Sequence, residues 1–424
     1  MTLTAIAQDK AAGRRFLLLL TAMAVLSAMD RQILAVMIEP VKAEFGLSDL
    51  QIGLVSGLGF ALSFSLLGVP LGRIADRVER RSLIAWTRGL GGVVAASAAG
   101  ATGFWSLMAS RAGGALSDAG GGPASLSLIA DLYPPASRSR AMSVFGVGAA
   151  FGAMLALVLG SAMAERWGWR VSMGAVGASV VFLALVLRGC MREPQRAAAP
   201  VLAEASGAGA VALVWRDPVA RWLMVGAAFT LLCGYSFGAW NFSYLVRTHG
   251  MSLSLAGWVS GLAAIGSIAG GLASGALADR LSRTRHEGWQ IGVPLCGVAL
   301  ALPTGLAYFA LPAGQVVAAA LMVALFAFFI AAWVAPCYAA LSMVVPPQRR
   351  ATASAMVMLA GSIVGSGIGP IFTGVLSTWL EPWLHGQSLR VALISTVALM
   401  GVSVYAFWRA MRAYPAALRR MQSR

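Results

Sequence analysis

Charged residues are scarce in this chain: Asp, Glu, Lys and Arg make up 11% of its 424 residues, whereas 58% are hydrophobic. Water-soluble proteins carry about 25% charged residues, so the composition excludes an ordinary soluble protein of this length. Apolar stretches such as 52–71, 255–277 and 316–335 are long enough to span a bilayer, which takes about 20 residues. About twelve such segments follow one another, which predicts an all-α membrane protein with twelve transmembrane helices.

Lysine, cysteine and histidine are also rare, and each scarcity removes a class of site. The two lysines, Lys10 and Lys42, stand in no G-x-x-x-x-G-K-[ST] loop, which excludes a self-contained ATP-driven pump. The four cysteines are far apart and the three histidines lack metal-ligand spacing, so we expect neither a metal nor a cofactor. A G-x-S-x-G pattern at 234–238 lies within an apolar span instead of a strand-turn-helix, so we expect no enzyme of the esterase type.

The net charge of +16 is unevenly distributed among the loops. Basic residues cluster in every second loop, at 10–15, 73–81, 138–140, 188–196, 280–285, 349–350 and 409–420. The alternate loops hold few: Lys42, Arg166, Arg170, Arg247 and Arg390. This positive-inside asymmetry places both termini in the cytoplasm of a bacterial-type inner membrane. No basic module with interleaved aromatics stands outside the spans, so we expect no nucleic-acid partner.

Two halves are visible along the chain. We predict an N-terminal six-helix bundle over 1–189, a cytoplasmic linker rich in Ala, Arg and Pro over 190–218, and a C-terminal six-helix bundle over 219–424. Two signals recur in the same order in both halves: Gly-x-x-x-Asp-Arg at 72–77 and 275–280, and Pro-Pro-x-x-Arg or Pro-Pro-x-Arg-Arg at 134–138 and 346–350. Such repeats predict two pseudo-symmetric bundles with a substrate site between them, near the bilayer midplane.

The first repeated loop, Gly72-x-x-x-Asp76-Arg77-x-x-Arg80-Arg81, resembles the signature of the major facilitator superfamily, with Glu79 where that family usually has Gly. The resemblance implies the major facilitator fold and a secondary transporter that works by alternating access. It also implies a cytoplasmic gate, and a solvated positive-inside loop is the alternative interpretation. The expected gate residues are Gly72, Asp76, Arg77, Arg80 and Arg81, with Asp279 and Arg280 in the second half.

A narrower resemblance covers most of the N-terminal half. The segments 29–34 and 39–48, Arg111-x-Gly113, Asp118-Ala119 and the exit at 133–135 are similar to the spinster branch of the superfamily. Spinster proteins usually carry Glu where this chain has Asp118. They are associated with export of lysophospholipids and sphingoid lipids, and proton coupling is proposed for some of them.

Four charged residues fall inside apolar spans, where each costs about 2.5–3.5 kcal/mol and so indicates a function. They are Asp30 and Arg31 in span one and Arg111 and Asp118 in span four. At 1.5 Å per residue, Asp30 and Arg111 both lie about 21 Å from the cytoplasmic side and can meet. We predict that Asp118 and Asp30 serve proton coupling, while Arg31 and Arg111 tune the acids and bind an anionic headgroup. The alternative is a fixed Asp30–Arg111 bridge that only orients helices.

The C-terminal half has almost no charge within its spans, so its candidates are polar and aromatic. We predict that Asn241, Tyr244, Trp333 and Tyr338 contact the substrate, because an apolar, aromatic wall suits an acyl chain. Positions at helix interfaces or in the membrane-interface belt are the alternative for these aromatics. Glycines recur every four residues at 361, 365 and 369 before Pro370, which predicts close helix packing and a hinge at the proline.

The main functional hypothesis is a proton-coupled or facilitative carrier of an amphipathic, lipid-like molecule, acting as a monomer in the bilayer. A proton-coupled carrier of small organic anions or drugs is the alternative within transporters, since paired arginines fit either substrate. A non-transporting lipid receptor or a membrane enzyme is the alternative from another class. Bound ligand without counterflow would favour the receptor, and a chemically altered ligand would favour the enzyme.

Overall fold

The computed structural model describes residues 3–75, 78–191, 215–346 and 350–422, and these ranges contain helices and no strand. The helices of the first half are α1 (Leu3–Phe45), α2 (Asp49–Ser56), α3 (Leu58–Ala75), α4 (Arg80–Ala96), a 3₁₀ turn (Ser97–Gly100), α5 (Phe104–Leu132) and α6 (Pro135–Cys190).

The second half begins with α7 (Pro218–His249), α8 (Leu253–Thr284) and α9 (Trp289–Ala310). The next span consists of α10 (Val316–Ile330), a 3₁₀ turn (Ala331–Trp333) and α11 (Val334–Val344). It is followed by α12 (Arg350–Ala360), a π-helix (Gly361–Ile368), α13 (Gly369–Leu384), α14 (Ser388–Ala398) and α15 (Met400–Gln422).

Twelve transmembrane helices account for these elements. Within the described ranges, nine helical segments are long and apolar enough to cross a membrane. One of them, Arg140–Gly189, comprises two spans, because Gly168 interrupts the helix. Its backbone φ is 80°, a value that residues other than glycine rarely adopt. The two remaining spans are α4, which is only 17 residues long, and α5, whose glycines, serines and charges lower its hydropathy. The predicted number of spans is therefore confirmed.

The chain divides into two compact units. The N-terminal unit contains the described residues of Met1–Leu47 and Leu54–Pro200, and the C-terminal unit those of Ser48–Gly53 and Val201–Arg424. The short segment Ser48–Gly53 thus packs with the C-terminal unit. Most of the predicted linker, residues 192–214, lies outside the described residues, so the domain boundaries stay a prediction.

Three of the loop arginines that depart from the charge asymmetry, Arg170, Arg247 and Arg390, are held by contacts within their own unit. Arg170 donates to the carbonyls of Ala99 at 2.7 Å and Ala101 at 2.9 Å and pairs with Glu44 at 2.5 Å. Arg390 likewise donates to the carbonyls of Phe309 at 2.8 Å and Ala310 at 2.6 Å. These arginines join helix ends to one another, so their charges reflect local packing and not loop orientation.

Arg247 makes the most strongly built of these contacts, in the C-terminal unit. Its two terminal nitrogens donate to the two carboxylate oxygens of Asp49 at 2.9 and 3.0 Å, in the parallel geometry that makes such pairs strong. The hydroxyl of Ser377, which is fully buried, donates to the same carboxylate at 2.7 Å and also contacts Ser388. Asp49 is 4% exposed, so these donors compensate a carboxylate that has lost its water.

Replacing Ser377 by alanine is expected to lower the unfolding free energy by about 1.5–3 kcal/mol, the usual value of a hydrogen bond to a charged group. Thermal unfolding of purified protein in detergent measures the change. Ser395→Ala is the matched control, because Ser395 donates to the Val391 carbonyl of its own helix and to no other group among the described residues. Equal melting temperatures for the two variants would contradict a stabilising role for the Ser377–Asp49 contact.

Glycines set the distance between helices in both units. In the C-terminal unit, β-carbons at Gly361, Gly365 and Gly369 would lie 2.2, 2.9 and 2.7 Å from atoms of Leu231 or Leu232 in α7. The predicted close packing of this glycine series is confirmed. Gly361 and Gly365 lie in the π-helix Gly361–Ile368, which comes shortly before Pro370. A π-helix often marks a functional site, whereas the hinge stays a prediction.

Candidate functional site

Helices α1 and α5 bring the four predicted charged residues of the N-terminal unit together. Asp30 and Arg31 are adjacent on α1, so their side chains point about 100° apart around the helix and reach different partners. Arg111 and Asp118 are seven residues apart on α5, so they lie two turns from each other on one face. The two charged residues of α1 therefore lie beside different charged residues of α5: Asp30 beside Arg111 and Arg31 beside Asp118.

Asp118 is the acid with two side-chain donors. Arg31 donates to one carboxylate oxygen at 3.0 Å, and the Ser27 hydroxyl donates to the other. The Asp118 side chain is 16% exposed and that of Arg31 is 45% exposed. The pair therefore joins a largely buried carboxylate to a guanidinium that solvent or a ligand can reach.

The side chain of Arg111 contacts mainly backbone atoms of α1. Its terminal nitrogens donate to the carbonyls of Asp30 and Arg31, both at 3.1 Å. Its distance to the Asp30 carboxylate is 3.9 Å, and the two side chains are 6% and 14% exposed. The expected meeting of Asp30 and Arg111 is confirmed. The backbone contacts fix the helix position beside the acid, while the roles of both residues stay a prediction.

Three further residues of this cluster, Ser27, Phe60 and Arg88, were not predicted from the sequence. Ser27 could be found only by its position one turn before Arg31, and serines are too common in spans for that to be a signal. Phe60 of α3 lies with its ring centre 6.0 Å from the Arg31 guanidinium, a cation–π contact across two helices. Arg88 of α4 is 2% exposed and donates to the carbonyl of Met23 at 3.3 Å. Arg88 could have been identified from the sequence, because it is an arginine inside a segment that hydropathy assigns to a membrane span.

The predicted gate residues are only partly described. Asp76 and Arg77 lie outside the described residues, and Gly72 lies in α3. Arg80, which is 2% exposed, pairs with Asp131 of α5 at 2.6 Å and donates to Ser127 at 2.8 Å.

Arg81 and Glu79 form a second contact at this end of the N-terminal unit. They pair at 2.7 Å, and Arg81 also donates to the carbonyl of Met191. The hydrogen bond from Ser82 and the neighbouring Arg81 charge hold the pKa of Glu79 below its usual value. The departure from glycine at position 79 thus adds an ion pair at the start of α4, and Arg81 joins that start to the end of α6. Asp279 and Arg280 are exposed near the end of α8, and the gate stays a prediction.

Two of the predicted C-terminal ligands are tied into a buried hydrogen-bond network. The Asn241 amide accepts from the Tyr308 hydroxyl at 2.6 Å and donates to Ser260 at 3.2 Å. The Tyr244 hydroxyl lies 3.2 Å from the Tyr308 carbonyl and 3.2 Å from His249 Nε2. These contacts hold α7, α8 and α9 together.

The other two predicted ligands lie in the interrupted tenth span. Trp333 is 4% exposed in the 3₁₀ turn, and Tyr338 is partly buried in α11. Substrate contact by all four residues of the C-terminal unit stays a prediction.

Known proteins share this sequence and this fold. The sequence profile described as Major Facilitator Superfamily matches residues 20–370. An MFS-type efflux pump of Mycolicibacterium smegmatis is 32% identical over 393 residues, which cover 92% of this chain and 90% of the pump. Protein spinster homolog 1 of Homo sapiens is 26% identical over 383 residues, which cover 84% of this chain and 71% of that protein.

A crystal structure of a bacterial homologue of the human lysosomal transporter spinster, inward-facing and unoccupied, superposes with a TM-score of 0.83 at 25% identity. The superposition covers 96% of this chain and 98% of the homologue. The predicted fold class is confirmed, and so is the resemblance to the spinster branch. With a family profile that matches most of its length and a relative above 30% identity, this chain belongs to the Major Facilitator Superfamily of membrane transporters.

Proposed function

We propose that this transporter moves an amphipathic molecule with an anionic group, of the lysophospholipid or sphingoid type, by proton-coupled alternating access. The observation that carries the proposal is the Arg31–Asp118 pair, in which the arginine is 45% exposed and the carboxylate 16%. An anionic headgroup can compete with Asp118 for this guanidinium. Arg111, at 6% exposure, is far less accessible to a ligand.

Aromatic rings beside Arg31 support an amphipathic substrate. Phe60 and Phe64 are one turn apart on α3 and stack with their ring centres 5.7 Å apart, and Phe60 also contacts the Arg31 guanidinium. A cation next to an apolar ring pair suits a ligand with a charged end and an acyl chain, whereas a sugar needs many hydrogen-bonding groups. The similarity to spinster homolog 1 agrees with this substrate class.

Proton coupling follows from competition for Asp118. When Asp118 takes up a proton, its attraction for Arg31 falls, and the guanidinium becomes available to the substrate anion. When the proton leaves, the carboxylate competes with the anion again and favours release. The charge asymmetry of the loops supports cytoplasmic termini in an inner membrane, and one chain acting as a monomer suffices for this cycle.

In proteoliposomes, an imposed pH gradient is expected to drive uptake of labelled lysophosphatidylglycerol by the wild type but not by Asp118→Asn. Asparagine has nearly the same shape and still accepts a hydrogen bond from Ser27, but it carries no carboxylate that could bind a proton. Uptake by the variant should fall to the level seen without a gradient, while lipid exchange at equal pH continues. The measurement is the initial rate of uptake with and without the gradient.

Asp118→Glu is the matched control, because it keeps a carboxylate at this position and introduces the residue that is usual in spinster proteins. It is expected to keep gradient-driven uptake. Equal gradient-independent rates in the wild type and Asp118→Asn would retain the lipid substrate but contradict proton coupling at Asp118. Binding of the lipid without any exchange would instead support a receptor.

The similarity to a mycobacterial efflux pump favours a second candidate, a proton-coupled carrier of small organic anions or drugs. Arg31 suits either substrate, because a guanidinium binds carboxylates and phosphates alike. Absence of lysolipid transport by folded protein, together with gradient-driven movement of an organic anion or drug in a substrate screen, would establish this alternative.

A further inference from the structure

Arg88 of α4 carries a buried positive charge, and the hydrogen bond from its side chain to α1 compensates that charge only in part. Its side chain is 2% exposed, and one terminal nitrogen donates to the Met23 carbonyl at 3.3 Å. Within the described part of the chain, its buried Nε has no hydrogen-bond partner. A guanidinium removed from water is unfavourable unless an anion compensates it, so a carboxylate is expected nearby.

Two neighbouring helices place Arg88 one turn away from Asp118. On α5 the guanidinium lies against Gly121, where a β-carbon would be 2.5 Å from Nε and 2.9 Å from Cζ. Gly121 follows Asp118 by three residues, so both lie on the same helix face. On α1, Met23 precedes by one turn Ser27, which donates to Asp118. Both registers separate the two charges by about 5 Å along the helix axes, a distance at which two charges in a buried site interact strongly.

We propose that Arg88 is the second counter-ion of Asp118 and takes over this carboxylate when an anionic substrate group occupies Arg31. The inference rests on the proposed function, because it needs an anion at Arg31. Arg31 is exposed enough for a ligand to reach it, whereas Arg88 is not. A change between staggered rotamers turns the short aspartate side chain from one arginine toward the other.

The exchange keeps the carboxylate paired for as long as Asp118 is ionised while the substrate anion already holds Arg31. Without Arg88, an anion that took Arg31 before Asp118 accepted its proton would leave the ionised carboxylate with the Ser27 hydroxyl and an uncompensated charge, which is strongly unfavourable in a buried site. Arg88 is therefore a positioning residue, which acts through Asp118 without touching the substrate.

The first test needs no ligand. In Arg31→Gln, Asp118 has lost its present partner and should turn to Arg88. Adding Asp118→Asn to Arg31→Gln is therefore expected to lower the melting temperature by about 2–4 °C, the size of one charge-assisted contact. If Asp118 had no second counter-ion, the same substitution would raise the melting temperature or leave it unchanged, and the inference would fail.

A double-mutant cycle identifies the partner. In the Arg31→Gln background, Arg88→Gln and Asp118→Asn should be strongly non-additive, and their coupling should be weaker when Arg31 is present. Arg88→Lys keeps the charge and should preserve the coupling, so it serves as the second variant if Arg88→Gln does not fold. Additive effects in both backgrounds would assign Asp118 another partner and overturn the inference.

Binding of fluorescent lysophosphatidylglycerol to purified protein separates this inference from the proposed function. Arg88→Gln is expected to weaken binding about tenfold in the wild-type background and to have no effect when Asp118 is already asparagine. Coupling between positions 88 and 118 without lipid binding would retain the inference and reject the lipid substrate. Lipid binding that Arg88→Gln leaves unchanged would retain the substrate and reject the counter-ion exchange.

Discussion

Replacing Arg111 by methionine is expected to abolish transport and to lower the unfolding free energy by about 3–5 kcal/mol, the cost of breaking a buried ion pair from one side. Arg111 is 6% exposed and joins α5 to the carbonyls of Asp30 and Arg31 on α1. Its loss leaves the Asp30 carboxylate without its charge partner and two helix carbonyls without a donor. It also removes the contact that positions Arg31 opposite Asp118.

Two further variants separate charge from position. Arg111→Lys keeps the charge but replaces a planar fork with a single ammonium, which is not suited to contact both carbonyls at once. It is expected to recover part of the stability and little of the transport. Asp30→Asn combined with Arg111→Met removes the uncompensated carboxylate, so it should recover stability without recovering transport.

The measurements are thermal unfolding in detergent and exchange of labelled lysophosphatidylglycerol in proteoliposomes. Ser179→Ala is a suitable control, since within the described part of the chain the one acceptor of the Ser179 hydroxyl is the Ala175 carbonyl of its own helix. If Arg111→Met exchanged lipid at the wild-type rate, Arg111 would have no function beyond stability. If the double variant transported as well as it folded, the fixed-bridge interpretation of Asp30 and Arg111 would be correct.

The sequence predicted the meeting of α1 and α5 because helix geometry alone sets depth. A rise of about 1.5 Å per residue placed Asp30 and Arg111 at one level, and the seven-residue spacing placed Asp118 on the face of Arg111. The rotation of α1 about its axis was not predictable in this way. That rotation decides that Arg31 pairs with Asp118 and that Arg111 reaches carbonyls in preference to the Asp30 carboxylate.

Long-range side-chain contacts were the part that sequence could not provide. Asn241 accepts a hydrogen bond from Tyr308, 67 residues later. Arg88 packs against Gly121 and donates to the Met23 carbonyl. No local pattern reports such partners, because glycine and backbone carbonyls occur in every span. The segment Ser48–Gly53 packs in the C-terminal unit for the same reason, through the Asp49–Arg247 pair, whose members are 198 residues apart.

Three glycines of α6, Gly146, Gly148 and Gly152, differ in how much space each leaves for a β-carbon beside α1, so alanine substitutions at them form a graded series. A β-carbon at Gly152 would lie 2.1 Å from the Val25 carbonyl oxygen of α1, and one at Gly148 would lie 2.5 Å from the Thr21 methyl group. A β-carbon at Gly146 would have no neighbour within 4 Å. All three positions are helical, so alanine improves local helix propensity by a similar amount, about 0.5–1 kcal/mol, at each of them.

Gly152→Leu is expected to prevent accumulation of folded protein, because backbone atoms of α1 must move by more than 1 Å to admit even its β-carbon. Gly152→Ala should lower the unfolding free energy by about 1–3 kcal/mol, and Gly148→Ala by less, since a threonine methyl can turn away. Gly146→Ala should be neutral or stabilising.

Fluorescence-detected size exclusion with a temperature ramp ranks the three alanine variants by melting temperature. Because α1 carries Asp30 and Arg31, a forced separation from α6 also moves the Arg31–Asp118 pair, so transport should follow the same order. A melting temperature for Gly152→Ala equal to that of Gly146→Ala would show that α1 and α6 do not approach as closely as their backbones indicate.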